Sequence, residues 1–407
     1  MLKTLLVILA LSYLILPASG QQLLPFIQAT SKKIKILEGH YLQDGELVPA
    51  LNPDTYYFHP SFHPKKIAYY TDQDSIVFWA KPGDVFNFAI VFNKKDTCYQ
   101  RVTSDNPNKV LYTSAGKGLV NDTLPFVLGP NNAIHVKGKV NQSEVLDLIF
   151  DTGASIGVLS EEGAAKQAVL RNDNKNIFTI GNIVIRNSPI SYINYHGSLK
   201  ADGVLGYNVF EGKVIEINYD KNILVVHHGA FDTRGYTSTE MTWHGSAMFI
   251  DGAIGINNKR VKGLFLFDTG SKWALSLNKD FASKNNLYRT LEKVGSRRAK
   301  GVDGKTIKSN TVILPAVYLA GLLLPNVPAD LELGEESESR LAFNILGNDV
   351  LKRFNTILDY RNGLVYLKVN GLQTAAYTKT LDERQLLSIA ALIIGIGLIS
   401  WLLYRRL

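Results

Sequence analysis

The chain has 407 residues, 46% apolar and 20% charged, which is room for two or three packed domains and excludes a disordered or fibrous chain. The formal net charge is +8, but Lys3, Arg405 and Arg406 supply three of those charges from the ends, and no basic stripe interleaved with aromatics is left to suggest a nucleic-acid partner. The single cysteine, Cys98, excludes an internal disulfide.

Residues 1–20 read as a secretory signal: Lys3, an apolar stretch over 5–16, and small residues Ala18-Ser19-Gly20 before Gln21. An uncleaved anchor is the alternative. Residues 21–125 predict a small antiparallel β-domain of unknown role. Strand-like runs at 75–80 and 85–92 flank the turn Pro82-Gly83-Asp84, and a second turn at 93–96 leads into 97–102. His40, His59 and His63 lack the spacing of a metal site and read as surface histidines. Residues 116–132 look like a linker.

Two later stretches match each other. Leu146-Asp147-Leu148-Ile149-Phe150 runs into Asp151-Thr152-Gly153, and Gly263-Leu264-Phe265-Leu266-Phe267 runs into Asp268-Thr269-Gly270. Each is an apolar, β-branched and aromatic run, the pattern of a buried strand, broken by a glycine that permits a loop with positive φ. Each therefore carries a carboxylate out of a rigid strand to the head of a loop, a costly place for an acid that nothing uses. The match extends outward. Gly138 and Gly255 precede the two motifs; Gly203-Val204-Leu205-Gly206 and Asn344-Ile345-Leu346-Gly347 follow them; hairpins near 214–222 and 356–363 close each half. This is an internal duplication with two matching acids. A helix capped by Ser160 is predicted over 160–170, a strand over 177–185, and a second helix over 278–291 capped by Asn278 or Asp280. The Gly-rich basic stretch 295–305 predicts a mobile hairpin or loop, with Arg297, Arg298, Lys300 and Lys305 read as solvated charges; 331–339 reads as an acidic surface loop.

Residues 371–385 are a polar tether. Residues 386–404 carry no charge and are long enough to cross a bilayer, with Trp401 and Tyr404 suited to the interface and Arg405 and Arg406 to the cytoplasmic side. A buried core helix is the alternative. The reading is of an exported, single-pass membrane protein with its bulk outside the cytoplasm. The lack of disulfides fits a bacterial periplasm or cell surface.

The duplicated motif resembles the aspartic proteases, most closely the bacterial retropepsin-like members with two Asp-Thr-Gly lobes on one chain. The resemblance covers residues 130–370. It implies a mostly β, bilobal, double-barrel-like fold with lobes at 130–228 and 242–370. Asp151 and Asp268 match the catalytic pair. Thr152 and Thr269 would donate hydroxyls across the lobe interface, and Gly153 and Gly270 would let backbone approach the acids. A flap over the cleft would include Gly301 and Gly304, with Arg297, Arg298, Lys300 and Lys305 favouring acidic peptides as the alternative to solvated charge, and the shorter, glycine-free interval 171–176 implies unequal flaps. The implied activity is a membrane-anchored endopeptidase using two carboxylates and a water, with a peptide or protein substrate, no metal or cofactor, and a cleft formed within one chain and hence a monomer. The alternative is a catalytically silent, exported peptide-binding module. A two-carboxylate glycosidase gives the duplicated Asp-Thr-Gly no reason to exist. Lys272 departs from the family, where Ser, Ala or Asp is more usual after this motif. Either it perturbs the dyad, or it pairs with Asp349 as a bridge of reversed sign.

Overall fold

The computed structural model describes residues 24–50, 52–106, 110–114, 121–194, 199–300, 306–334 and 343–378. The expected signal sequence, the membrane helix at 386–404 and the tether beyond residue 378 lie outside them. Among the described residues no helix is long and apolar enough to cross a membrane. The fold is mostly β and bilobal, preceded by a smaller β unit.

That first unit is a sandwich of two four-stranded sheets. One holds Phe26–Ala29, Asp54–Tyr57, Val85–Phe92 and Asp96–Thr103; the other holds Lys33–Glu38, Tyr41–Glu46, Lys65–Tyr70 and Ser75–Ala80. Their inward residues, among them Ile67, Tyr69, Phe88, Ile90, Cys98 and Val102, make a core separate from that of the lobes. The turn at Gly83 joins strands of different sheets and so makes a corner, not a hairpin. The unit ends earlier than the sequence reading placed it. Leu111–Ser114 pairs with Ile183–Arg186, and Asn121–Pro125 pairs with Ile223–His227, so these segments fill sheet edges of the first lobe. His40 and His63 are exposed, as expected, while His59 is half-buried; His59 and His63 both reach the second lobe. His59 stacks on Trp243 with ring centroids 4.2 Å apart, and His63 pairs with Glu240. Among the described residues no cluster of three metal-ligating side chains occurs.

The two lobes repeat one arrangement. In the first, Ile134–Val140 pairs antiparallel with Leu146–Asp151, which pairs in parallel with Gly203–Gly206, in a register that sets Asp151 opposite Gly206. In the second, Ala247–Ile256 pairs with Lys259–Asp268, and Asp268 lies opposite Gly347 of Asn344–Gly347. Phe150, Phe265 and Phe267 are fully buried, which fixes each motif strand before its acid emerges. Across the seam, Val214–Ile217 pairs antiparallel with Thr356–Asp359, so one 13-stranded sheet runs from lobe to lobe and their cores are continuous.

Several local expectations shift. The helix at 160–170 is only Glu161–Ala165, with Ser160 accepting from the Gly163 N–H at 3.2 Å. Residues 177–185 are not one strand but two, Asn176–Ile180 and Ile183–Ser188, turned by Gly181 at φ +57°. The helix at 278–291 divides into Lys279–Lys284 and Leu287–Thr290 because Asn286 adopts a left-handed φ of 54°. The stretch read as an acidic loop begins inside the strand Leu322–Glu332, where Glu332 is buried; its remainder, 335–339, lies outside the described residues.

Candidate active site

Both acids stand at the ends of strands, Leu146–Asp151 and Lys259–Asp268, and the lobe seam brings them together. What holds the two loops is a set of four crossed hydrogen bonds. The Thr152 hydroxyl donates to the Phe267 carbonyl at 2.7 Å and accepts from the Thr269 N–H at 3.0 Å. The Thr269 hydroxyl donates to the Phe150 carbonyl at 2.9 Å and accepts from the Thr152 N–H at 3.0 Å. Both threonines are fully buried. Each hydroxyl thus spends its donor and an acceptor position on the opposite lobe.

The glycines have a role different from the positive φ first assigned to them, since neither Gly153 nor Gly270 has one. Each lies against the other lobe's aspartate. A Cβ on Gly153 would come within 2.8 Å of the Asp268 carboxyl carbon, and one on Gly270 within 2.3 Å of that of Asp151. Close approach, not backbone conformation, demands glycine here.

The carboxyls are oriented by backbone donors. Gly153 N–H donates to Asp151 at 2.7 Å, and Gly270 and Ser271 N–H both donate to Asp268 at 2.9 Å. Each carboxyl lies against the glycine that follows the other lobe's acid, which brings the two side chains together across the seam. Burial pushes the Asp151 carboxyl above the usual carboxylate range, against the pull of the Gly153 N–H. Burial pushes Asp268 well above that range, and the neighbouring Asp151 charge adds to it. Both aspartates retain some solvent-accessible surface, so the desolvation comes from the protein packed around the carboxyls, not from full enclosure. The arrangement favours one proton shared by two carboxyls, a property of the pair and not of either residue.

No family model matches the chain, and no curated protein does. Among solved structures it is similar to the aspartic proteinase from Irpex lacteus, with 14% sequence identity and a TM-score of 0.44, over 63% of this chain and all of that one.

The stretch beside the second acid differs from the sequence reading. Lys272 does not pair with Asp349, which instead meets Lys352 at 2.8 Å and accepts from the Thr378 N–H at 2.7 Å. The Lys272 ammonium lies 4.3 Å from the centroid of the Trp273 ring. Arg297 covers the same ring at 3.4 Å and pairs with Asp330, which also accepts from the Thr311 hydroxyl at 2.7 Å. Arg297 is therefore not a solvated charge. Burial lowers its pKa and raises that of Asp330, so desolvation outweighs attraction on both sides. The pair sets where the strand lies more than it stabilises the fold.

That strand, Lys293–Lys300, forms a hairpin with Thr306–Leu319. The tip residues 301–305, with the expected Gly301 and Gly304, lie outside the described residues. Among the described residues the first lobe has no equivalent hairpin. Its Asn176–Ile180 and Ile183–Ser188 turn at Gly181 as Thr306–Leu319 and Leu322–Glu332 turn at Ala320 and Gly321, and in each lobe the following segment pairs in parallel with the short strand after the motif. Among the described residues nothing corresponds to Lys293–Lys300, and residues 171–175 only turn into Asn176.

Two groups near the site carried no sequence signal. Asn132 of the first lobe donates to the Lys272 carbonyl at 2.8 Å and to the Thr378 hydroxyl at 2.9 Å, and accepts from the Lys352 ammonium at 2.8 Å. Arg353, 1% exposed, donates through Nη1 to the carbonyls of Leu372, Gln373 and Ala375 at 2.7–3.0 Å and lies 3.6 Å from the Tyr377 ring centroid. Together they strap residues 371–378 across the second lobe toward the first. Two clefts lie away from the acids: one of about 1070 Å³ between the N-terminal unit and the second lobe, and one of about 850 Å³ on the first lobe beside Phe126, His135 and Gly181. Neither is lined by Asp151 or Asp268.

Proposed function

We propose that the chain is an aspartic-type endopeptidase, with Asp151 and Asp268 as its catalytic dyad. The observation that carries this reading is the pairing of the two carboxyls across the lobe seam, held by reciprocal threonine bonds in surroundings that disfavour double ionisation. The ionised member draws a proton from a water whose oxygen attacks the peptide carbonyl carbon. The protonated member hydrogen-bonds the carbonyl oxygen as charge develops there. The C–N bond then breaks as a carboxyl proton passes to the leaving amine. This division of labour is that of the aspartic proteases the chain resembles. Thr152, Gly153, Thr269 and Gly270 act by positioning the acids, and the Lys293–Lys300 hairpin is the candidate flap. A protein or peptide substrate would enter a cleft formed within one chain, which needs no second copy.

Export and a single C-terminal membrane anchor, with the lobes outside the cytoplasm, belong to the same proposal. They rest on the sequence at 1–20 and 386–404. The enzymatic reading is tested by cleavage of a peptide library with the detergent-solubilised full chain. Asp151→Asn and Asp268→Asn should each reduce kcat/KM by about a thousandfold. Cleavage that survives both substitutions would overturn the assignment.

A further inference from the structure

We infer that Lys272 selects an acidic residue on one side of the scissile bond. This inference rests on the endopeptidase reading above.

The position comes first. Ser271 N–H donates to Asp268 at 2.9 Å, which places the Lys272 Cα within about 8 Å of that carboxyl by backbone dimensions. An extended peptide advances about 3.3 Å per residue, so a side chain two or three residues from the bond being cut passes within reach of a lysine there. Lys272 is exposed as a residue and its ammonium rests on the Trp273 ring, where such a side chain can approach it.

The charge balance comes second. Two cations share the Trp273 ring, and only one has an acid. Arg297 is neutralised by Asp330. The acid that could have answered Lys272, Asp349, is taken by Lys352 and Thr378. Among the described residues no carboxylate pairs with Lys272, and partial burial first, then the neighbouring Arg297 guanidinium, disfavour its charge. A carboxylate arriving with the substrate would relieve that repulsion, with a charge-assisted hydrogen bond in a partly desolvated place. The tryptophan ring holds the ammonium itself, 4.3 Å from its centroid, which limits the entropy lost when the bond forms.

The asymmetry comes third and serves as an internal control. The matching position after the first motif is Ser155, followed by Ile156, with no cation and no equivalent of the Arg297 strand. The acid preference therefore falls on one side of the scissile bond and not on the other.

The test uses the full chain and paired peptides with Glu, Gln or Lys at the second and third positions on either side of the cleaved bond. Glu should exceed Gln in kcat/KM by about tenfold on one side only, a factor within the range of one charge-assisted contact. Lys272→Ser should bring that Glu/Gln ratio to about one, Lys272→Arg should keep it, and Lys272→Glu should invert it in favour of Lys. The ratio is insensitive to how much enzyme is folded. No preference, a preference equal on both sides, or a ratio unchanged in Lys272→Ser would each overturn the inference while leaving the endopeptidase reading intact. Failure to cleave any peptide would overturn the endopeptidase reading itself.

Discussion

Replacing Thr269 with valine keeps the side-chain shape and removes one oxygen. That oxygen accepts from the Thr152 N–H at 3.0 Å and donates to the Phe150 carbonyl at 2.9 Å, in a place with no exposed surface. The substitution leaves a buried N–H without its partner, at about 1–3 kcal/mol, and loses a hydroxyl–carbonyl bond of about 1 kcal/mol. The expected destabilisation is about 2–4 kcal/mol, and Thr152→Val should cost a similar amount through the Phe267 carbonyl and the Thr269 N–H. The two hydroxyls share no hydrogen bond, so bond counting alone makes the double variant additive. If the two loops dock as one unit, the double variant should cost less than the sum by more than about 0.5 kcal/mol. Urea unfolding followed by tryptophan fluorescence, to which Trp243 and Trp273 of the second lobe contribute, reads all four proteins, and Thr269→Ser should recover most of the loss. A Thr269→Val protein within about 0.5 kcal/mol of the parent would refute the claim that these bonds hold the lobes in register.

Asp268→Asn should change stability with pH. The folded pKa of Asp268 lies above its free value, so the parent gains from its protonated carboxyl only below the free carboxylate range and loses that gain as pH rises toward the raised folded value. The asparagine variant should therefore have a higher Tm than the parent at neutral pH, with the gap closing below about pH 4, near the free aspartate pKa; equal Tm at every pH would contradict a strained dyad. Gly270→Ala drives a methyl into the Asp151 carboxyl, 2.3 Å from its nearest atom, and should lower kcat/KM at least about a hundredfold through misplacement of the acid; near-parental turnover would count against the close packing. Arg353→Leu strands carbonyls of the 372–375 strap and should cost about 2–4 kcal/mol. It should also expose residues 371–378 to limited proteolysis, and an unchanged digestion pattern would show that the strap holds without the arginine.

Much of the site was legible because its parts are local. An apolar run ending in Asp-Thr-Gly is a strand with an acid at its head wherever it occurs, and two copies with matching Leu-Gly segments imply two lobes. The strands Leu146–Asp151 and Lys259–Asp268 follow directly from that pattern. The parts that were misread depend on partners distant in sequence. Lys272 and Asp349 look complementary on paper, but Lys352 lies one helical turn from Asp349 and takes it. Arg297 sits in a Gly-rich basic stretch that resembles solvated loop, yet Asp330, 33 residues later, draws it into a buried pair on Trp273. Asn286 breaks a helix that its neighbours' propensities favour, because asparagine tolerates a left-handed φ. The end of the N-terminal unit was misplaced for a similar reason. Asn121–Pro125 has no local mark of belonging to the first lobe, and only its ladder with Ile223–His227 assigns it.

The central claim is that two carboxyls on opposite lobes share one proton and together hydrolyse a peptide bond. The pH dependence of kcat/KM on a single cleaved peptide tests it most directly. The account predicts a bell whose acid limb reports loss of the ionised member and whose alkaline limb reports loss of the protonated one, with kcat/KM down about a thousandfold in both Asp151→Asn and Asp268→Asn. A profile with a single limb, or a bell that persists when either aspartate is replaced, would contradict it.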